Sequence, residues 1–310
     1  MRSAFGHGIL VDLRKPELEY AADLFPANHV FDSAIWRQEY NQYWNYAREK
    51  IQLYDQFERD VIKRVEQYLL PVIELKRETP KEAVCVVFER VNTGGVELNV
   101  FDLLTASFAA DDFSLRDEWA EHERNLRTQY RVLANLKNDE FLQAMALLVT
   151  QERRRLGTEC SIGCKRKDIL SLTVSDWKAW ANRVHEGFAL AARFLHSQKI
   201  FRAQDLPYST QLVPLAAILA ELGREGEIEG ARQKIARWFW CGVLGEVYAG
   251  ALESRFARDL PEVTAMVRGE PIEPSTIQES NFAASRLLTL RSRKSAAYKG
   301  LYALLMRDGT

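Results

Sequence analysis

A mainly α-helical chain is expected, with a partial α/β domain over residues 1–110 and an α-helical domain over residues 111–310. Three observations carry this expectation. Beyond residue 111 nearly every segment repeats its apolar residues with helical period. The two short β-compatible runs, residues 8–13 and 71–76 (PVIELK), both fall before that point. Helix-capping residues stand at the head of most apolar stretches. A length of 310 residues, at about 150 per domain, agrees with two domains.

In chain order, residues 35–70 are aromatic and helical in pattern, with Trp36, Tyr40, Tyr43, Trp44, Ile51, Tyr54, Phe57, Val61 and Val65 spaced for one or two helices. Thr79-Pro80-Lys81-Glu82 then reads as a helix start: Thr79 caps, Pro80 occupies the first helical position and Glu82 completes a capping box. Val84, Val87, Phe88 and Val91 form one apolar stripe, and Gly94-Gly95 ends that helix. Asn99 caps the next, with Asp102 in its first turn and Phe101, Leu104, Thr105 and Phe108 turned inward. Further helices are expected at residues 140–156, 176–198 (opened by Ser175), 210–222, 231–248, 259–267, 282–290 and 295–306, with 223–230 as the mobile connection. Trp238-Phe239-Trp240, with Val243, Leu244, Val247 and Tyr248, reads as core.

Composition narrows the function. Forty-two basic against 43 acidic residues leave a formal charge of -1, so any attraction to nucleic acid must be local rather than global. The longest apolar stretch, residues 212–220, is far below the roughly 20 residues a membrane span needs, and residues 1–13 lack a secretory apolar run. Four cysteines fit a reducing compartment, so a cytoplasmic location is expected. Val11 stands where a dinucleotide fingerprint beginning at Gly6 needs glycine, and no GxxxxGK[ST] or GxSxG string occurs. Ala189 replaces the second histidine a zinc-protease helix needs after His185-Glu186. His185 and His196 stand eleven residues apart on one expected helix, about 16 Å, too far to share an ion. Cys160 and Cys164 find no second ligand pair nearby and read as idle thiols. The five histidines, His7, His29, His122, His185 and His196, are expected to form no cluster.

Two features point toward anions. Arg90 and the amides of Asn92, Thr93, Gly94 and Gly95 sit at a helix-to-strand turn where N–H groups and a guanidinium can face a phosphate; the same glycines also serve as a plain C-cap. Four basic clusters are candidates for phosphate contact: Arg124, Arg127 and Arg131; Arg153 to Arg155; Lys165, Arg166 and Lys167; and Arg291, Arg293, Lys294 and Lys299. The last is the strongest, since residues 286–308 hold six basic residues and one acidic, beside a helix start capped by Ser295. The first two read as solvated faces. Glu246 and Arg255 form either a buried ion pair or part of a site.

FERVNTGG with LNVFDLLTA, and RLLTLRSRKSAAYKGLYALLMRDG near the end, resemble the GmrSD-type restriction family. CKRKDIL, DLPYSTQLVPLAAI and ARWFWCGVLGEVY extend the likeness over nearly the whole chain. The resemblance implies a ParB/sulfiredoxin-like nucleotide-handling domain, a helical domain and, in many members, a separate His-Asn-His nuclease domain. It also implies cutting of modified or phage DNA coupled to a nucleoside triphosphate and Mg2+. The family's Asp-Gly-Gln-Gln-Arg motif and the nuclease motif are not found in this sequence. The resemblance therefore implies an internal or truncated portion, the nucleotide-sensing and scaffold part of an anti-phage restriction protein. Such a portion holds no cofactor or metal of its own and is not catalytic alone. Its nucleotide contacts would be Arg90, Asn92, Thr93, Gly94 and Gly95, and its partners DNA, nucleotide and a nuclease domain or subunit. Two alternatives stand beside it: a non-enzymatic module docking on a partner that carries the nuclease, and a DNA-binding helical protein.

Overall fold

The computed structural model describes residues 16–69, 72, 74, 87, 99–159, 161–250, 252–290, 292–293 and 295–309. The chain falls into two units, Met1–Leu75 and Lys76–Thr310. The run 8–13, nearly all of 71–76, the Pro80 helix start and the turn from Arg90 to Gly95 lie outside the described residues. Among the described residues there is no strand, and no helix is long and apolar enough to cross a membrane.

In the first unit, aromatic residues at helical spacing bury against one another. Helices α1 (Pro16–Ala21), α2 (Ser33–Tyr43) and α3 (Arg48–Phe57) enclose Tyr20, Trp36, Tyr40, Tyr54 and Ile62, with Phe25, Val30, Trp44 and Phe57 packed around them. Trp36 stacks on Tyr40 at 4.9 Å and on Tyr54 at 5.8 Å between ring centroids. α3 runs on through a π turn, Glu58–Ile62, into Lys63–Glu66. Arg37 ties α2 to this rod through Asp55 at 2.6 Å and Glu58 at 3.0 Å.

The second unit is a helical body: α4 (Val100–Ala109), α5 (Leu115–Gln129), α6 (Asn138–Arg155), α7 (Arg166–Leu170), α8 (Val174–Ser197), α9 (Leu212–Leu222), α10 (Glu229–Leu244), α11 (Glu253–Val267), α12 (Ser275–Gln278) and α13 (Ala296–Asp308). Local capping chemistry sets several starts. Asn99 Oδ1 accepts the Asp102 amide at 2.9 Å, as its position before α4 demands. Ser175 is not the cap of α8. Thr173 is, because Thr173 and Asp176 satisfy each other's amides at 3.1 and 2.8 Å, a reciprocal box that Ser175 and Lys178 cannot form. α11 begins at Glu253, six residues before the expected start, and carries Pro261 in its interior. Residues 282–290 do not make an α-helix; they hold a 3-10 turn, Ala284–Thr289. The connection read as mobile contains a further 3-10 turn, Gly223–Glu227.

α9 is apolar all round, which suits a helix with neighbours on every side. All eleven of its residues are buried, and it packs against α6, α8 and α11. Its contact with α8 is close because Gly187 has no side chain: a β-carbon there would fall 2.4 Å from the Ala216 carbonyl oxygen. At the end of α9, Glu221 is only 8% exposed and accepts from Arg155 at 2.7 Å, Arg183 at 3.2 Å and Arg268 at 3.3 Å. Trp238, Phe239 and Trp240 are buried, as expected of their spacing.

One buried carboxylate organises the α10–α11–α12 corner. Asp259 accepts from Trp238 Nε1 at 3.0 Å, from Thr276 Oγ1 at 2.6 Å and from the Tyr248 hydroxyl. Glu246 and Arg255 are not paired with each other. Arg286 holds Glu246 at 3.1 Å, and Arg255 holds Glu279 at 2.7 Å.

Candidate nucleic-acid interface

Of the expected contact residues, Arg90, Asn92, Thr93, Gly94, Gly95, Arg291 and Lys294 lie outside the described residues. Arg293 and Lys299 line a groove of about 950 Å3 with Lys199, Phe201, Arg202, Gln204, Asp205, Tyr298, Tyr302, Ala303 and Met306. A groove of that size falls in the usual range for small-molecule sites, about 300–1,000 Å3.

Each wall has a local origin. Lys199 follows the end of α8 in the left-handed conformation, with φ of 62°, which turns the chain sharply into residues 200–205. Arg202 is held by Asp205 through two bonds, 2.9 and 3.1 Å, so that acid is already engaged. The opposite wall is α13, whose N-cap Ser295 accepts the Tyr298 amide at 3.3 Å. Lys299 reaches across to the Leu206 carbonyl at 3.1 Å and fixes the two walls together. Lys199, Arg293 and Lys299 have no acidic partner among the described residues. Phe201 is 41% exposed and Tyr302 60%. Cations beside open aromatic faces are what a groove needs to hold phosphates and stack bases. The charge run of residues 286–308 and the Ser295 cap marked one wall; Lys199, Phe201 and Arg202 carried no comparable local signal.

Lys165, Arg166 and Lys167 are exposed at the start of α7, where Asp168 accepts the Lys165 amide at 2.8 Å. Arg166 lines a separate recess with Asn99, Asp139, Gln143, Cys164 and Glu253, so the two expected basic clusters are not gathered at one groove. Cys164 is buried, and burial pushes its thiol far up, which accords with an idle sulfur. A further recess of about 460 Å3 is lined by Arg154, Arg155 and Arg268 together with Glu262 and Glu270.

The histidines do not stay apart. His122 on α5 and His185 on α8 bring their Nδ1 atoms to 3.0 Å, with ring centroids 5.1 Å apart. Sequence spacing missed this because the two are 63 residues apart and on different helices. His122 stacks on Phe141 at 5.5 Å and meets Trp177 edge-on at 5.9 Å. Burial pushes both imidazoles below the ordinary histidine value. His185 adds to this for His122, while Glu118, Glu121 and Glu186 pull the other way.

Residues 13–109, about a third of the chain, match the family described as the GmrSD restriction endonuclease N-terminal domain. An uncharacterized protein of Methanocaldococcus jannaschii is 25% identical over 260 residues, which cover 78% of this chain and 42% of that protein. The chain thus spans less than half the length of the curated relative it matches. Over residues 13–109 the chain is thus similar to the N-terminal domain of the GmrSD-type restriction endonuclease family.

Proposed function

We propose that this chain is the nucleotide-sensing and scaffold part of a GmrSD-like, modification-dependent DNA restriction protein acting in anti-phage defence. The family match over residues 13–109 carries the reading. In it, Arg90 and the Asn92–Gly95 turn contact nucleotide, and the groove between residues 199–205 and α13 contacts the nucleic-acid backbone. The groove supports this by placing Lys199, Arg293 and Lys299 without acidic partners among the described residues beside exposed Phe201 and Tyr302. The basic residues Lys165, Arg166 and Lys167, with Arg291 and Lys294, extend the phosphate contacts in this reading. The strand-bearing ParB-like character of the first domain, and any cleavage with Mg2+ and a nucleoside triphosphate, belong to the same proposal.

The salt dependence of DNA affinity tests it. Each phosphate neutralised contributes about 0.9 to the slope of log affinity against log salt on duplex DNA, and about 0.7 on a single strand. Arg293→Glu combined with Lys199→Glu is expected to lower affinity and flatten that slope by about one to two. A slope unchanged by both reversals would remove the groove from the interface. Nucleotide affinity unchanged in Arg90→Ala would remove the turn.

A further inference from the structure

We propose that His122 and His185 form a chelating pair for one borderline divalent transition-metal ion of the Zn2+, Ni2+ or Cu2+ type. The inference stands on geometry and does not depend on the nucleic-acid reading. Imidazole nitrogens bind such ions at about 2.0–2.1 Å. With tetrahedral angles, two rings on one ion would hold their nitrogens about 3.4 Å apart and their centroids about 5.2 Å apart. The centroids of His122 and His185 already stand 5.1 Å apart, and their Nδ1 atoms 3.0 Å. An opening of a few tenths of an ångström, within reach of small ring rotations, therefore admits the ion.

The surroundings favour a cation of this class. Burial disfavours the charged form of both rings, and a neutral imidazole keeps one ring nitrogen free to ligate. Phe141 and Trp177 wall one side, while both histidines remain partly exposed on the other. Glu118 and Glu121 near His122, with Glu121 and Glu186 near His185, supply negative potential without crowding the nitrogens. Among the described residues no group of three or more His, Cys, Asp or Glu side chains is gathered for a metal. The ion would thus have two protein donors and open positions for water or an incoming ligand. Imidazole donors suit zinc, copper and nickel, whereas Mg2+ and Ca2+ take oxygen ligands. Bound there, the ion would pin α5 to α8.

The competing use of the same contact is a hydrogen bond, one Nδ1–H donating to the other Nδ1, and the experiment separates the two. The full chain, treated with chelator and desalted, is titrated with Ni2+ or Zn2+ by calorimetry, alongside His122→Asn and His185→Asn. One equivalent is expected in the parent, unaffected by Mg2+. Each single variant should weaken binding at least about tenfold, since even outer-shell partners of a metal are worth about 10–100-fold. Circular dichroism checks that the variants fold. Should either fail, electron paramagnetic resonance of the Cu2+-loaded parent decides, with two coupled imidazole nitrogens as the expected signature. No binding in the parent, binding that survives both substitutions, or fewer than two coupled nitrogens would overturn the proposal and leave the pair sharing a proton.

Discussion

Replacing Asp259 by alanine should be the most destabilising polar change in the helical unit, and its size follows from what the carboxylate satisfies. Asp259 is 1% exposed, and its three donors, Trp238, Tyr248 and Thr276, are buried with it. Thr276 keeps a second contact to Arg255 at 3.2 Å. Without the carboxylate, the neighbouring Tyr248 and Thr276 hydroxyls can satisfy only one proton between them, so one hydroxyl proton and the Trp238 N–H are left without an acceptor among the described residues. Leaving a buried donor dry costs about 1–3 kcal/mol, so two of them cost about 2–6 kcal/mol. That is a large share of the roughly 5–15 kcal/mol of a typical domain. At about 2–4 °C per kcal/mol for a unit of this size, the melting temperature should fall by roughly 5–20 °C. Urea unfolding and a thermal melt followed by circular dichroism give both quantities. Asp259→Asn keeps an acceptor for Trp238, and the Tyr248 hydroxyl can turn to accept from the new amide, so its loss should be smaller. An alanine variant within about 0.5 kcal/mol of the parent, the range of an ordinary surface substitution, would refute the reasoning.

The same residue fixes a pH dependence. Burial pushes the Asp259 carboxyl above the ordinary aspartate value, and the bonds from Thr276, Tyr248 and Trp238, with Arg255 nearby, offset this only in part. Just above the ordinary value the folded protein still holds a proton that the unfolded chain has released. Stability from this group is therefore complete below that value and declines as pH rises through the folded pKa. Asp259→Asn, which cannot titrate, should lack that decline.

Two further outcomes follow from packing. Gly187→Ala should destabilise by about 1–3 kcal/mol, the usual cost of overpacking, because the added carbon meets Ala216 and Ala220 on α9. That sign is opposite to the gain of about 0.5–1 kcal/mol expected from helix preference alone, so an unchanged or raised urea midpoint would show that the two helices part easily. Cys164, buried with its thiol pushed up, should resist iodoacetamide at neutral pH until the chain is unfolded. Peptide mass spectrometry that finds it alkylated in the native protein would contradict its burial.

What the sequence disclosed, it disclosed locally. Asn99 and Ser295 could be assigned as caps because the bonds they make, to Asp102 and Tyr298, span three residues. The Trp238–Trp240 core was visible because aromatic rings at helical spacing already define a face. Where two local signals competed, the reciprocal one won: Thr173 prevailed over Ser175 because Asp176 returns its bond. The start of α11 at Glu253 went unread because Leu252 before it makes no side-chain cap, so no local residue marks it. The His122–His185 contact and the Lys199–Phe201–Arg202 wall depend on chain segments far apart in sequence meeting in space, and no spacing rule reaches them.

Which basic depression is available to an anion turns on what its cations already hold. In the recess beside α11, Arg155 and Arg268 both point at Glu221, which is nearly buried and also takes Arg183. Glu152 and Glu225 lie against the same two arginines at 3.6 and 3.4 Å. Glu262 and Glu270 then line the recess itself, with Glu262 fixed by the Ser275 amide at 2.6 Å. An incoming phosphate would have to displace carboxylates that are positioned and partly desolvated, which disfavours it. In the groove along α13 the single lining acid, Asp205, is spent on Arg202, and Lys199, Arg293 and Lys299 face no carboxylate among the described residues. Lys299 is held by the Leu206 carbonyl at 3.1 Å, a neutral acceptor, so a phosphate approaching these three cations has no carboxylate to displace from them. Counting arginines would favour the first depression; asking which cations are uncompensated selects the second.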